Sequence, residues 1–475
     1  MVMGELQQET GLLIIGNGPG GYAAAFRAAD LGLDVTMVDP APRPGGVCLY
    51  TGCIPSKTLL FLSELIHDAA RSGPMGVTFD RPRIDLAVLR KWKTEVIGSL
   101  SGGLLSLCTQ RGIQLLKGQA RFEDSRTVRL EGAEVRRVRF KQAIIATGSR
   151  PIPYPGLPFK PGGRIMDSTG ALALADIPER LLIIGGGYVG LELGTAYSAL
   201  GSRVTVVEMA DVLLPGIDRD LVEPLQRRLR TIFEDIRLQT RVAGMQETET
   251  GVDVVMEGGE ATTKQRFDRV LVAIGRRPSS TELDLEKTKV ATDKRGCIIV
   301  DEQLRTADPA IFAVGDVTGG MMLANKASRE GKIAAEVIAG GHSAFDVRAI
   351  PAVIYTDPQI AWCGLTEEEA RTKNIPVKIL RFPWKFSGRA HTMGAPEGLT
   401  KILVQPENGR IIGVGIVGRE TEGLVSEGSL AIEMGALAED VSLILHPHPT
   451  LSETEGEAAE LYLGSSTHIL SKKTA

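Results

Sequence analysis

The chain has 475 residues, a formal net charge of −4, and 43% hydrophobic against 24% charged side chains, enough length to bury real cores in about three domains. That balance leaves no basic footprint for nucleic acid or an anionic membrane surface, and no apolar run approaches the ~20 residues that cross a bilayer. Five cysteines are far too few for a secreted disulfide scaffold, and Met1–Thr10 carries neither a signal-peptide nor a transit pattern, so a cytoplasmic protein is expected, in which a cysteine pair is catalytic rather than structural.

In chain order, Leu12–Ile15 is a short apolar strand running into Gly16-Asn17-Gly18-Pro19-Gly20-Gly21. Ala23–Leu31 follows as an Ala-rich helix, and Val35–Val38 as a second strand closing on Asp39. Strand, G-x-G-x-x-G, helix, strand and acid in this order form the dinucleotide-binding fingerprint. Its glycines (Gly16, Gly18 and Gly21) let backbone N–H groups approach a pyrophosphate, and the acid accepts from a ribose.

Next comes Gly45-Gly46-Val47-Cys48-Leu49-Tyr50-Thr51-Gly52-Cys53-Ile54-Pro55-Ser56-Lys57. Positions five apart on a regular helix face different ways, so Cys48 and Cys53 meet only if Gly52 distorts the backbone. Lys57, one turn beyond Cys53, places a cation on that sulfur's face and favours its thiolate. Two buried structural cysteines are the bland alternative; the close pairing, the glycines and the lysine favour a redox-active disulfide. Cys108, Cys297 and Cys363 read as packing residues, and no metal site is expected.

Helical pattern continues over Ile54–Leu65 and Ile84–Leu107, and Gln142–Gly148 is a strand entering a small-residue turn at Ala146-Thr147-Gly148. Beyond the proline-rich crossover Pro151–Pro161 the fingerprint recurs: Leu181–Ile184, then Gly185-Gly186-Gly187-Tyr188-Val189-Gly190, a helix through Leu200, and Val204–Val207 before Glu208. Two such units with a dithiol beside the first imply two nucleotides: FAD in the first and a pyridine nucleotide in the second. Glu208 would bond the free 2′-OH of NAD and repel the 2′-phosphate of NADP, so NAD is expected.

Val270–Arg276, including Gly275, closes the second unit; Ala310–Asp316 is a strand ending in Gly315-Asp316, and Met321–Ile338 a helix. From Pro351 the pattern becomes α+β, with a Thr366-capped helix, strands through Val417 and helices at Leu424–Met434 and Glu455–Leu463. Within it, His448 and Glu453 of His446-Pro447-His448-Pro449-Thr450-Leu451-Ser452-Glu453 form a plausible base and orienting carboxylate. His67, His342, His391 and His468 are expected to lack such a setting, a carboxylate beside the ring.

Essentially the whole chain resembles the dihydrolipoamide dehydrogenases (E3) among the pyridine nucleotide–disulfide oxidoreductases, most specifically over Gly46–Lys57, Gly185–Glu192, Gly315-Asp316 and His448–Glu453. The resemblance implies an α/β fold with two Rossmann-like domains, an FAD domain at 1–155 and an NAD domain at 156–280. A central domain at 281–350 would complete the FAD site, and a C-terminal α+β interface domain at 351–475 would form a homodimer. It also implies that Gly46, Lys57, Thr147, Gly148, Asp316 and Ala324 contact FAD and that Lys57 pairs with Glu192. A cis His448–Pro449 bond is implied, with His448 and Glu453 serving the other subunit's disulfide. The implied activity is oxidation of dihydrolipoyl groups, with electrons passing through Cys48–Cys53 and FAD to NAD. The implied partners are the lipoyl domains and E2 acyltransferase of 2-oxo acid dehydrogenase complexes, or glycine cleavage H protein. Tyr50, Asn325 and Asp39 depart from the Asn, His and Glu usual there. Glu208 argues against glutathione and trypanothione reductases, and the lack of cysteines after Cys363 argues against mercuric and large thioredoxin reductases. The cysteine pair argues against a soluble transhydrogenase, and the full set of site residues against a flavin-binding scaffold without turnover.

Overall fold

The computed structural model describes residues 7–259 and 261–470; the start of the Met1–Thr10 stretch lies outside them. Strand β1 (Gln7–Ile15) pairs in parallel with β2 (Val35–Asp39) on one side and with Arg137–Ile145 on the other. Leu12 to Ile15 are all buried because helices and strands cover both faces of this sheet, which is why the run is continuously apolar rather than alternating. Helix α1 (Pro19–Asp30) packs on the helix Ala324–Ile338 through small residues: a β-carbon on Gly331 would collide with the Gly20 carbonyl. Ile311–Ala313 adds to the same sheet beside Arg137–Ile145 and delivers Gly315-Asp316 to its C-terminal edge.

A second parallel sheet is centred on Arg180–Ile184, flanked by Arg203–Val207 and Arg269–Val272. Against it lies an antiparallel sheet of Thr240–Glu247, Val252–Gly258 and Ala261–Phe267, which the sequence reading does not place. The C-terminal region is a five-stranded antiparallel sheet with the helices Thr421–Met434 and Glu453–Leu463. Thr366 caps its helix through a capping box, as the sequence suggests. The helix expected from Met321 starts at Ala324. Gly319 and Gly320 have positive φ and Leu323 is extended, so the chain reaches the helix along the cavity wall. No helix among the described residues is long and apolar enough to cross a membrane.

One charged joint links the second parallel unit to the C-terminal region. Lys401, 1% exposed, places Nζ 2.6 Å from Asp218, 2.7 Å from Asp220 and 2.6 Å from Glu367. These three carboxylates sit close enough together to hold a metal ion. The lysine ammonium already lies among them.

Candidate active site

The expected distortion between the cysteines is present. Helix α2 (Gly46–Thr51) ends at Gly52, whose φ of −143° and ψ of −114° break the run before α3 (Cys53–Arg71). A β-carbon at Gly52 would lie 2.8 Å from the Val47 carbonyl oxygen, so the approach depends on glycine. Cys48 and Cys53 are free thiols hydrogen-bonded to each other. The Cys48 bond, followed by the Lys57 cation, lowers the Cys53 thiol to about 7 against burial and the Glu192 charge. Cys48 moves the opposite way, raised by its bond to Cys53 and by burial. Burial pushes Cys108 up to about 11 and Cys363 up to about 12, which suits inert packing thiols.

Lys57 Nζ lies 2.8 Å from Glu192 Oε2, so the ion pair expected from the resemblance is formed. Glu192 is buried on the helix Tyr188–Leu200, and its other oxygen accepts from the Tyr355 backbone N–H at 2.9 Å. Lys57 Nζ also stands 4.4 Å above the Tyr355 ring.

These groups open onto a cavity of about 480 Å³. Of the expected residues, Gly18, Asp39, Gly46, Cys48, Cys53, Lys57, Thr147, Gly148, Glu192, Gly315, Asp316 and Ala324 line it. Gly16 and Gly21 stand behind it and shape the loop: Gly16 has φ +107°, and a β-carbon at Gly21 would collide with the Gly16 carbonyl. A β-carbon at Gly46 would lie 2.5 Å from Gly18 Cα, so the cysteine segment is pressed onto the glycine loop. Asp39 accepts from the Asn17 N–H at 3.0 Å and the Ala41 N–H at 2.8 Å, and burial raises its carboxyl against those bonds. Asp316 accepts from the Ser149 hydroxyl at 2.5 Å, and Arg276 Nε donates to that hydroxyl at 2.8 Å. The buried Asn17 side-chain oxygen has no hydrogen-bond partner among the described residues. A long cleft with a glycine loop at one end, acids at Asp39 and Asp316 and a dithiol in its wall fits a flavin dinucleotide. Asn17, Ser149, Tyr188, Arg276 and Tyr355 were missed from the sequence; only Arg276, one residue past the Gly275 turn, had a local signal.

The second unit repeats the geometry outside this cavity. Gly185 and Gly275 have φ of +109° and +125°, and a β-carbon at Gly190 would lie 2.6 Å from the Gly185 oxygen. Gly187 caps the helix that begins at Tyr188, and Glu208 accepts from the Gly186 and Ala210 amides at 2.6 and 2.7 Å.

His448 Nδ1 sits 2.8 Å from Glu453 Oε1, while Glu453 Oε2 accepts from the Thr450 N–H at 2.8 Å; His448–Pro449 is cis. The pair is not in the wall of its own chain's cavity, and the His448 side chain is 79% exposed. The expectation that His67 and His468 lack an acidic neighbour is corrected. His67 Nδ1 is 3.5 Å from Asp357, and His468 is bonded to Glu457; folding brings together groups that are distant in the chain. His446, too, pairs with Glu427 at 2.9 Å, which raises its pKa. Carboxylate pairing therefore does not single out His448; of these four paired histidines it is the most exposed, at 79% against 57% for His468. Of the departures, Tyr50 lines the cavity and bonds Ser101 Oγ at 2.6 Å, whereas Asn325 bonds the Pro351 carbonyl outside it.

A dithiol in the wall of one dinucleotide cleft, with a second dinucleotide fold alongside, defines a class of oxidoreductase. Residues 10–331 match the family described as pyridine nucleotide-disulphide oxidoreductase, and residues 350–459 match its dimerisation domain. The chain belongs to this family. It is 45% identical to the dihydrolipoyl dehydrogenase of Vibrio parahaemolyticus, over 97% of each chain. It is 44% identical to that of Geobacillus stearothermophilus, over 99% of this chain and all of the other. Among solved structures it is similar to LpdA from Mycobacterium tuberculosis, with TM-score 0.87, 26% identity, and coverage of 95% and 99%. It also resembles the HOCl-induced flavoprotein disulfide reductase RclA from Escherichia coli, with TM-score 0.83, 27% identity, and the same coverage.

Proposed function

We propose that this chain is an NAD-linked dihydrolipoyl dehydrogenase with FAD in the cysteine cavity. The carrying observation is the Cys48–Cys53 pair in the wall of that cavity, with the Lys57–Glu192 ion pair beside the more acidic thiol. The relatives' shared name supports the substrate, and Glu208 supports NAD.

In this reading His448 of the partner subunit, oriented by Glu453, takes a proton from one dihydrolipoyl thiol. The thiolate attacks Cys48 Sγ of the oxidised pair, and Cys53 leaves as a thiolate beside Lys57. The second substrate thiol displaces Cys48, releasing the cyclic lipoyl disulfide and leaving the pair reduced. FAD, when bound, supplies the chemistry that carries an electron pair from the dithiol to NAD as hydride. Gly16, Gly18 and Gly21 shape the pyrophosphate loop, Gly46 seats the cysteine segment on it, and Asp39, Thr147, Gly148, Gly315, Asp316 and Ala324 hold the flavin nucleotide. Gly185, Gly187, Gly190, Glu208 and Gly275 hold NAD. The reading includes a homodimer, supported by the dimerisation-domain match and by His448 lying outside its own cavity. The division at 1–155, 156–280, 281–350 and 351–475 belongs to it as well. So do a cytoplasmic setting and lipoyl-bearing partners of 2-oxo acid dehydrogenase or glycine cleavage complexes.

The test is NAD reduction by dihydrolipoamide, run beside NADP and beside NADPH-driven reduction of glutathione disulfide. Turnover with dihydrolipoamide and NAD alone is expected. Flavin reduction by NADH without lipoyl turnover would overturn the substrate. Cys48→Ser and Cys53→Ser should each lose at least roughly a thousandfold in lipoyl turnover while keeping the flavin.

A further inference from the structure

Lys57 belongs to two cavities. On one side is the dinucleotide cleft; on the other is a polar cavity of about 190 Å³ whose wall includes Glu64, Glu422, Arg419 and Tyr355. A lysine side chain is long and flexible, and a single ion pair does not fix it well. Glu64 and Glu422 in the second cavity are competing destinations that would draw the ammonium away from Cys53. Tyr355 meets both halves of the pair: its ring lies 4.4 Å from Lys57 Nζ, and its N–H bonds Glu192 Oε1 at 2.9 Å. It comes from the loop between the strands Ala352–Ile354 and Gln359–Gly364, far in sequence from both partners.

We propose that Tyr355 is a positioning residue for the redox centre, its ring and main-chain amide together holding the Lys57–Glu192 pair against Cys53. This rests on the reading of Lys57 as the cation that stabilises the Cys53 thiolate. An aromatic face attracts an ammonium without neutralising it, so Lys57 stays charged toward Cys53 while its position is restricted. A carboxylate in place of the ring would compete with the thiolate. The aromatic face is what matters, not the phenol hydroxyl.

The groups facing Cys53 are Cys48 from α2, Lys57 from its own helix, Glu192 and Tyr188 from the helix Tyr188–Leu200, Tyr22 from α1 and Tyr355. Burial holds all three tyrosines above the ordinary tyrosine range, so they remain neutral through a titration near neutrality.

The experiment uses the FAD-loaded enzyme reduced anaerobically by two electrons. A thiolate against an oxidised flavin gives a long-wavelength absorption, whose pH midpoint reports the Cys53 thiol. Wild type and Tyr355→Phe should share one midpoint, and Tyr355→Leu and Lys57→Met should raise it by about half a pH unit or more. Mono-, di- and trifluorinated phenylalanine at position 355 keep the ring's shape while weakening its face; the midpoint should climb stepwise along the series, which decides the matter even if the leucine variant does not fold. A flat fluorinated series, or a wild-type midpoint in Tyr355→Leu with a shifted one in Lys57→Met, would reduce Tyr355 to packing. An unmoved Lys57→Met midpoint would overturn the role of Lys57, and this proposal with it.

Discussion

The two glycine loops share backbone and spacing but differ in what later chain closes over them. Each has a positive-φ glycine at the strand end, a glycine on the following helix pressed against that first carbonyl, and an acid accepting two backbone amides. Over the first loop come the cysteine segment, the Gly315-Asp316 turn and the start of the helix Ala324–Ile338, all in the wall of one cavity. Beside the second loop, Met209, the residue after Glu208, is 73% exposed. In the proposed reading, the walled first site would keep its nucleotide, and the second would let one exchange. On that reading one repeated unit serves a resident cofactor and a cosubstrate, and the difference comes from the cysteine segment that follows the first unit and from Gly315-Asp316 and Ala324 much further along the chain.

Opposite losses from equivalent glycines would be the largest effect. Gly21→Ala should leave the purified protein nearly colourless, because its methyl group collides with the Gly16 carbonyl at the end of the closed cavity. Gly190→Ala, with its methyl group 2.6 Å from the Gly185 oxygen, should keep the flavin and raise the KM for NAD at least about tenfold. Flavin absorbance per protein and NAD kinetics check both. Loss of flavin from Gly190→Ala would break the distinction between resident and exchanging sites.

The units also differ in what ties them down: glycine-mediated helix contact for the first, the Lys401 joint for the second. Lys401→Met removes the buried cation shared by Asp218, Asp220 and Glu367, leaving only Arg381 on Asp220 and Glu367, and should cost about 3–5 kcal/mol, read as a fall in melting temperature at neutral pH. The pH dependence carries a sign. Burial opposes the Asp220 charge, but Lys401 and Arg381 hold its carboxyl below the usual range. Its contribution is therefore present above about pH 4 and lost as pH falls below that, so the gap between variant and wild type should narrow in acid. A gap that widens instead would refute the charged joint.

The sequence showed the two loops, the cysteine pair, Lys57 and the His448–Glu453 pair because each is local: fixed spacing on one strand–turn–helix or on one turn of helix. Glu192 was legible through the resemblance, though its contact with Lys57 spans the chain. Tyr355 and Ser149 were not legible, and Arg276 only as the residue past the Gly275 turn, since each acts through partners brought near by the closing of distant segments. The antiparallel sheet at 240–267 was missed because its strands are polar on one face and joined by short turns, so no long apolar run announces them. His67 and His468 show the converse, histidines whose acidic neighbours the sequence does not reveal.

Specificity should move less than occupancy. On the proposed reading, Glu208→Ala removes the acceptor for a ribose 2′-OH and the charge that repels a 2′-phosphate. The NAD-over-NADP ratio in kcat/KM should fall by about 10–100-fold with the flavin content intact. An unchanged ratio would detach Glu208 from cofactor choice.

The smallest effect is expected from Asp39→Glu, and the molecule contains its own control. Glu208 shows that an acid one methylene longer satisfies two flanking amides in this loop geometry, at 2.6 and 2.7 Å, much as Asp39 does at 3.0 and 2.8 Å. The longer side chain at position 39 should therefore keep both amide bonds, at the cost of a small shift into a walled cavity. Flavin affinity should change only by about threefold, whereas Asp39→Asn, which removes the charge and one acceptor, should weaken it by about tenfold or more. Both are read from flavin release on dilution. If Asp39→Glu sheds flavin as readily as Asp39→Asn, the closed walls around the first loop, and not the carboxylate's charge, set what the site tolerates, and the two acids are equivalent in sequence alone.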